Sequence, residues 1–142
     1  MHDMTSSEYQ QFMLGRARTA KLATVTADGH PHVAPIWFDM DGEVIVFNTG
    51  ETTLKGRNIK RDGRVSICVD DDTPPFSFVI ITGVAEITSP TPDDLVYWAT
   101  RIAGRYMGPE LADTYGRRNG VPGEMLVRVT PSKVLAKAGL SD

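Results

Sequence analysis

The sequence predicts a mainly β protein of the α+β class, an antiparallel barrel of six or seven strands with helices in the crossovers. Asp-Gly pairs at 28–29 and 41–42 separate runs rich in β-branched residues, and such pairs are typical of tight hairpin turns. The strands and helices do not alternate regularly, as they would in a doubly wound sheet. The 142 residues, 41% of them hydrophobic, are enough for one core, so we expect a single domain over residues 1–142.

A helix and then a three-stranded meander are predicted for the first third of the chain. Ser7 and Gln10 have the spacing of a capping box, and apolar residues recur at helical spacing after them, which predicts a helix over residues 8–17. Hairpin turns then separate three predicted strands, over residues 20–27, 32–40 and 43–48. Pro35 lies inside the second strand. Because proline cannot donate to a ladder, we expect it at a sheet edge, at a bulge or facing a ligand.

A basic helix is predicted after the meander. Thr52 or Thr53 can cap its start, and the pair Asp62 and Gly63 marks its end. Its positive charges are Lys55, Arg57, Lys60 and Arg61. We assign Arg61 to the solvated face of this helix.

The remaining residues predict further strands and the main helix. Strands are expected over residues 64–69 and 76–88, the second of them bent at Gly83 so that it can curl round a barrel. The segment 91–106 begins with an N-cap, a proline and two acids, and its apolar residues mark one helical face. The last predicted elements are a short helix over 110–117 and strands over 125–130 and 133–137, divided by Pro131.

Composition and missing motifs exclude several classes of function. A net charge of -3 opposes binding to nucleic acid and to anionic lipid. No apolar run approaches the roughly 20 residues of a membrane span and no leader is visible, so we expect a soluble protein that is not exported. Cys68 is the single cysteine, which rules out an intrachain disulfide and favours a reducing, cytoplasmic compartment. The glycine motifs of nucleotide-binding folds, the nucleophile elbow and the zinc-protease motif are absent.

Three side chains that could carry chemistry receive no role. His30 and His32 lie two residues apart on one face of a strand, but no third ligand accompanies them, so we predict no metal site. Cys68 lies in the middle of a strand, where a buried and unreactive thiol is expected.

The segment most suggestive of chemistry is 49–58. It combines hydroxyl groups, the free backbone N–H groups of a helix start and two cations, a set that suits a phosphate. A solvated basic helix face explains the same charges and is the more common case for a charge run alone. We favour a binding role because a glycine turn after the third strand delivers this helix start to the rim of the barrel.

Five short motifs follow one another along residues 16–138. They are Leu22-Ala23-Thr24-Val25, Asp28-Gly29-His30-Pro31-His32-Val33, Pro35-Ile36-Trp37-Phe38, the segment from Lys55 to Ser66, and Gly83-x-Ala85-x-Ile87. Together they resemble the pyridoxamine 5'-phosphate oxidase-like split β-barrel family, and within it the branch of reductases that use the deazaflavin coenzyme F420. Gly63 departs from the family pattern, which usually has proline after the Arg-Asp pair.

The resemblance implies a homodimer whose two barrels hold two cofactors at their interface. It places the cofactor phosphate at the start of the basic helix, against Thr49, Gly50, Thr52, Thr53, Lys55 and Arg57. It implies that one stretch of the second strand forms the wall beside the cofactor ring, with the residues Ala34, Pro35, Ile36 and Trp37. Asn58 would buttress the clamp.

The function that the resemblance implies is hydride transfer from reduced F420 to the activated double bond of a small acceptor such as an enone, a quinone or a tetrapyrrole. The sequence does not indicate the proton donor, and Tyr106 and Lys137 both have structural explanations. Two alternatives stay open: an FMN-dependent oxidase or reductase of the same fold, and a non-catalytic binder of flavin, deazaflavin or haem. Pyridoxamine phosphate oxidase activity is disfavoured because residues 131–137 lack the arginine-rich ending that it would predict.

Overall fold

One antiparallel sheet of eight strands and four helices make up the protein in its computed structural model, which describes all residues, 1–142. The strands are β1 (His2–Asp3), β2 (Ala20–Val25), β3 (Pro31–Ile36), β4 (Asp39–Asp41), β5 (Val44–Gly50), β6 (Arg64–Asp71), β7 (Ser77–Thr88) and β8 (Glu124–Ala138). The helices are α1 (Ser6–Gly15), α2 (Leu54–Arg61), α3 (Pro92–Met107) and α4 (Ala112–Asn119). Strands neighbour one another in the order β3-β2-β6-β7-β8-β5-β4, with β1 beside β8, which confirms the predicted antiparallel α+β architecture.

The sheet curls round one hydrophobic core. Its two ends, β3 and β4, are separated in the chain by Trp37 and Phe38 alone, so they have to lie close together. Side chains on the inner face, among them Leu22 and Phe47, are fully buried. Burying one such side chain contributes about 1.5–3 kcal/mol to stability. Helix α1 adds Met13 to the same core and so covers this face of the sheet.

Helix α3 packs on the opposite face of the sheet. Leu95 contacts Val46 of β5 and Leu126 of β8, a small second core on the outer side of these two strands. Because residues alternate between the faces of a strand, Val46 points away from its inward-facing neighbours in β5. The helix therefore lies beside the junction of β3 and β4, where it forms one side of a cleft.

The strand boundaries differ from the predicted ones in three places. Strand β1 was not expected, and the predicted strand 32–40 is two strands, since the Phe38 N–H bonds to the Tyr106 hydroxyl and the Phe38 carbonyl to Arg105 instead of to a ladder. The two predicted C-terminal strands are one strand, β8. Pro131 fits inside it because it faces Gly83 where the register of β7 shifts, which confirms the predicted irregularity at Gly83. These changes give eight strands in place of six or seven.

Two helix starts differ from the prediction as well. Helix α1 is capped by Thr5 and Glu8, which form a reciprocal capping box, and not by Ser7 and Gln10. A carboxylate at this position also interacts with the positive end of the helix, which a glutamine cannot do. Helix α4 covers 112–119 in place of 110–117, because a turn closed by the Leu111 N–H on the Gly108 carbonyl occupies the preceding residues. Thr91 caps α3 as predicted.

Candidate functional site

A cleft of about 350 Å³ opens between the end of β3, strand β5, the start of α2 and helix α3. Its walls are formed by Thr19, Pro35, Ile36, Trp37, Asn48, Lys55, Ala99, Ile102, Asn119 and Glu124. The apolar members lie at the end of β3, at Trp37 just after it and on α3, whereas the polar members lie on β5, on α2, at the end of α4 and at the start of β8, with Thr19 just before β2. The cleft thus has an apolar side and a polar side, the division expected for a small-molecule site.

The apolar side includes three of the four wall residues that the sequence suggested. Pro35, Ile36 and Trp37 line the cleft, while Ala34 is half-buried and does not. Strand β3 ends the sheet, and Pro35 pairs with Lys21 on its inner neighbour only, so the predicted edge position of Pro35 is confirmed. An edge strand tolerates proline because it has a neighbouring strand on one side only.

The Trp37 ring is held in place by the aromatic ring beneath it. Trp37 and Tyr106 stack with centroids 4.9 Å apart and planes 2° from parallel. The Tyr106 hydroxyl donates to the Arg18 carbonyl at 2.8 Å and accepts the Phe38 N–H at 3.2 Å. Burial raises the pKa of this phenol. Tyr106 therefore serves as a fixed support for Trp37, with both hydrogen-bonding roles of its hydroxyl taken.

The turn from β5 into α2 brings Thr49, Gly50 and Thr53 together, but of the predicted clamp residues only Lys55 lines the cleft. Thr53 caps α2: its hydroxyl accepts the Gly56 N–H at 3.1 Å and donates to the Gly50 carbonyl at 2.8 Å. The buried Thr49 hydroxyl lies 3.3 Å from that of Thr53, and Thr52 is exposed and does not cap the helix. A Cβ atom at Gly56 would overlap the Gly50 carbonyl oxygen, so glycine is required for this close turn.

The cations of α2 separate into paired and unpaired groups. Lys60 lies 3.9 Å from the Glu51 carboxylate, and Arg61 donates to the Asn58 side chain and to the Val25 carbonyl. Arg61, although exposed, is thus more than a solvated charge, which corrects the prediction for it. Lys55 takes part in no ion pair or side-chain hydrogen bond, and its half-buried side chain lines the cleft. Arg57 is also unpaired but is exposed and lies outside the cleft lining.

Asn58 holds α2 against the sheet. Its side chain is buried, donates to the Thr24 hydroxyl of β2 at 3.0 Å and accepts from Arg61 at 3.1 Å. It contacts none of the predicted clamp hydroxyls and does not line the cleft. Asn58 therefore supports the clamp indirectly, by fixing the helix that carries Lys55.

Four polar residues of the cleft, Thr19, Asn48, Asn119 and Glu124, were missed by the sequence analysis. Glu124 accepts a hydrogen bond from the Asn48 side chain at 2.9 Å, and Asn48 also reaches the Asn119 carbonyl at 3.4 Å. Burial raises the pKa of Glu124, while the bond from Asn48 and the charge of Lys55 oppose that change. Glu124 meets the clamp because β5 and β8 pair Gly50 with it, a long-range register that no local motif reveals.

The other candidate groups lie apart from the cleft. Burial raises the pKa of Cys68, which is half-buried on β6. No three His, Cys, Asp or Glu side chains come together as a metal site would require. None of the helices combines the length and the apolar character needed to cross a bilayer.

Comparison with known proteins assigns the chain to a family. The family model described as pyridoxamine 5'-phosphate oxidase matches residues 5–138. The chain belongs to this family. An F420 reductase of known structure is a relative, with 30% identity over 87% of this chain and 94% of that one and a TM-score of 0.70. Another is the conserved hypothetical protein Rv2991 from Mycobacterium tuberculosis, with 29% identity over 94% of this chain and 84% of that one and a TM-score of 0.80.

The same fold occurs in more distant proteins. The haem storage protein HutZ from Vibrio cholerae is 21% identical, with 96% of this chain and 98% of that chain covered and a TM-score of 0.74. At this identity the likeness concerns the fold alone. Within the pyridoxamine 5'-phosphate oxidase family, function has to be argued from the cleft itself.

Proposed function

We propose that this protein is an oxidoreductase that binds coenzyme F420 in the cleft and transfers hydride from the reduced deazaflavin to an activated double bond, as in an enone, a quinone or a tetrapyrrole. The observation that carries the proposal is Lys55, an unpaired cation that lines the same cleft as the stacked Trp37 ring. The F420 reductase among the relatives supports the same cofactor.

The chemistry of the cleft fits such a cofactor. A flat heteroaromatic ring matches the apolar side formed by Pro35, Ile36 and Trp37. A phosphate matches Lys55, which stands in the first turn of α2, where the backbone N–H groups and the helix dipole favour an anion. The amides of Asn48 and Asn119 lie in the same cleft, and amides of this kind can meet the polar edge of a ring.

Each side of the cleft has its own part in the proposed reaction. Bound F420 supplies the hydride chemistry. Lys55 binds the phosphate, Trp37 orients the ring, and the apolar residues of α3 exclude water from one side of the cleft. Tyr106 stacks on Trp37 and holds its ring in place. Because its hydroxyl is already hydrogen-bonded to Phe38 and Arg18, Tyr106 is a positioning residue and not a proton donor.

We also propose that a second copy of the chain completes the cleft. A volume of about 350 Å³ is at the low end for a cofactor site of about 300–1,000 Å³. The outer faces of β2, β3, β6 and β7 carry exposed apolar side chains, among which Val33 is 65% exposed and Val84 is 63% exposed, together with the charged Lys21 and Arg64. Further members of this surface are Ala23, Val25, Pro31, Pro35 and Ile80. Exposed apolar surface of this kind marks a protein interface.

Light scattering at micromolar concentration measures the oligomeric state. The expected mass is that of a dimer, and Val84→Asp is expected to shift it toward the monomer, because a charge would be buried in the interface. Val121→Asp, the same substitution at a 40% exposed valine in the loop between α4 and β8, outside this surface, is the matched comparison. A wild-type monomer would contradict the second-copy proposal.

Turnover separates the proposed enzyme from a binder. Oxidation of reduced F420 is followed by absorbance, with 2-cyclohexenone and menadione as acceptors. The expected result is acceptor-dependent oxidation that Lys55→Ala slows and Lys60→Ala leaves nearly unchanged, since Lys60 is paired with Glu51 outside the cleft. Binding of F420 without any oxidation would favour the non-catalytic alternative, and turnover with FMN alone would favour the flavin alternative.

A further inference from the structure

The cleft contains one carboxylate beside its one cation. Glu124 and Lys55 are the charged members of the lining, so the cleft has no net charge when both are ionised. Asn48 donates to one carboxyl oxygen of Glu124 at 2.9 Å. The other oxygen lies beside Gly50, 3.2 Å from the position that a Cβ atom would take at that glycine. An acid held against the turn that leads into a predicted phosphate clamp is unexpected for anion binding alone.

We propose that Glu124 is a specificity-determining residue which favours singly charged phosphodiesters over doubly charged phosphomonoesters in the cleft. The proposal rests on the proposed function, since it assigns the phosphate to the Lys55 side of the cleft. One positive charge can offset a phosphodiester, whereas the second charge of a phosphomonoester meets the Glu124 carboxylate without a further cation in the lining. The phosphate of F420 is a diester, and that of FMN is a monoester.

No other charged group faces Glu124 closely enough to change this balance. From α2 it senses Lys55, and the neighbouring strand β5 presents the uncharged Asn48. Glu51, next to β5, turns its carboxylate toward Lys60 at 3.9 Å. The residues of α3 in the lining are apolar, and the arginines near the end of α4, Arg117 and Arg118, are exposed and lie outside the lining.

The charge of a phosphomonoester changes with pH, which provides a second test of the same effect. Its second ionisation has a pKa of about 6, so it carries two charges at pH 8 and one at pH 5. Burial raises the pKa of Glu124, so acid conditions also begin to neutralise this carboxyl. Both changes reduce the repulsion, and the preference for a diester is expected to shrink as the pH falls.

The test measures dissociation constants of F420, FMN and riboflavin at low salt, at pH 8 and pH 5, for the wild type, Glu124→Gln and Lys55→Ala. At pH 8, Glu124→Gln is expected to improve FMN binding about tenfold more than F420 binding and to leave riboflavin, which lacks the phosphate, unchanged. The wild-type preference for F420 is expected to fall between pH 8 and pH 5, a change that needs no variant and so does not depend on its folding. Glu124→Asp keeps the charge and is expected to keep the preference.

Equal improvement of FMN and F420 in Glu124→Gln, with a pH-independent preference in the wild type, would overturn the role of Glu124 while leaving the proposed function intact. Equal binding of all ligands by Lys55→Ala and the wild type would overturn the placement of the phosphate, and with it both proposals.

Discussion

Replacing Lys55 by alanine tests the clamp directly. The side chain makes no ion pair and no hydrogen bond within the protein, so its removal breaks no direct contact and takes only a longer-range charge interaction from Glu124. Alanine also has a high helix propensity, so we expect the free energy of unfolding to change by no more than about 0.5 kcal/mol. The loss should appear in cofactor binding instead. A hydrogen bond to a charged group contributes about 1.5–3 kcal/mol, which corresponds to about 10- to 150-fold weaker binding of F420.

The matched control for this variant is Lys60→Ala. Lys60 belongs to the same helix and carries the same charge, but it faces Glu51 and lies outside the cleft lining. Exposed ion pairs of this type contribute about 0–1 kcal/mol to folding stability, so Lys60→Ala should leave the protein folded. Because Lys60 lies outside the cleft, its loss should also have little effect on F420 affinity. The assay is a fluorescence titration of each variant with F420, together with thermal unfolding. Equal losses of affinity in both variants would refute the clamp and support a diffuse basic patch.

Three further predictions concern stability. Asn58→Ala should lower the free energy of unfolding by about 1–3 kcal/mol in denaturant titration, because it leaves the buried Thr24 hydroxyl without its partner; an unchanged midpoint would contradict the anchoring role. Gly56→Ala should destabilise the protein and weaken F420 binding together, because the new Cβ meets the Gly50 carbonyl; unaltered binding would show that the turn can relax. Burial and the charge of Glu43 raise the pKa of Tyr9 to about 12, so stability should fall as pH rises from 10 toward 12, and Tyr9→Phe should flatten that fall.

Local signals in the sequence predicted the elements that depend on neighbouring residues. Thr91 caps the main helix and Thr53 caps the basic helix, because each N-cap bond involves residues within three positions. The break at Trp37 and Phe38 could not be predicted in this way, since it is made by Tyr106, 68 residues further along the chain. The predicted cap of α1 by Ser7 and Gln10 was wrong because Thr5 and Glu8, which have the same spacing, form the capping box instead.

The candidate site likewise contains residues that local patterns identify and a residue that only long-range pairing brings into place. Pro35, Trp37 and Lys55 were identified from a proline in a strand, a motif and a charge at a helix start. Glu124 was missed because a glutamate at the start of a strand has no distinctive local pattern. Its place in the cleft follows from the pairing of β5 with β8, and its environment follows from burial that only the folded chain creates.

A titration of the protein with F420 and FMN at low and high salt distinguishes a deazaflavin site from a flavin site. We expect F420 to bind at least tenfold more tightly than FMN at low salt, a difference of about 1.4 kcal/mol in binding free energy. This preference should shrink at high salt, because exposed cations such as Arg57 can meet the acidic tail of F420 only through contacts that salt screens. Tighter binding of FMN at both salt concentrations would contradict the assignment of F420.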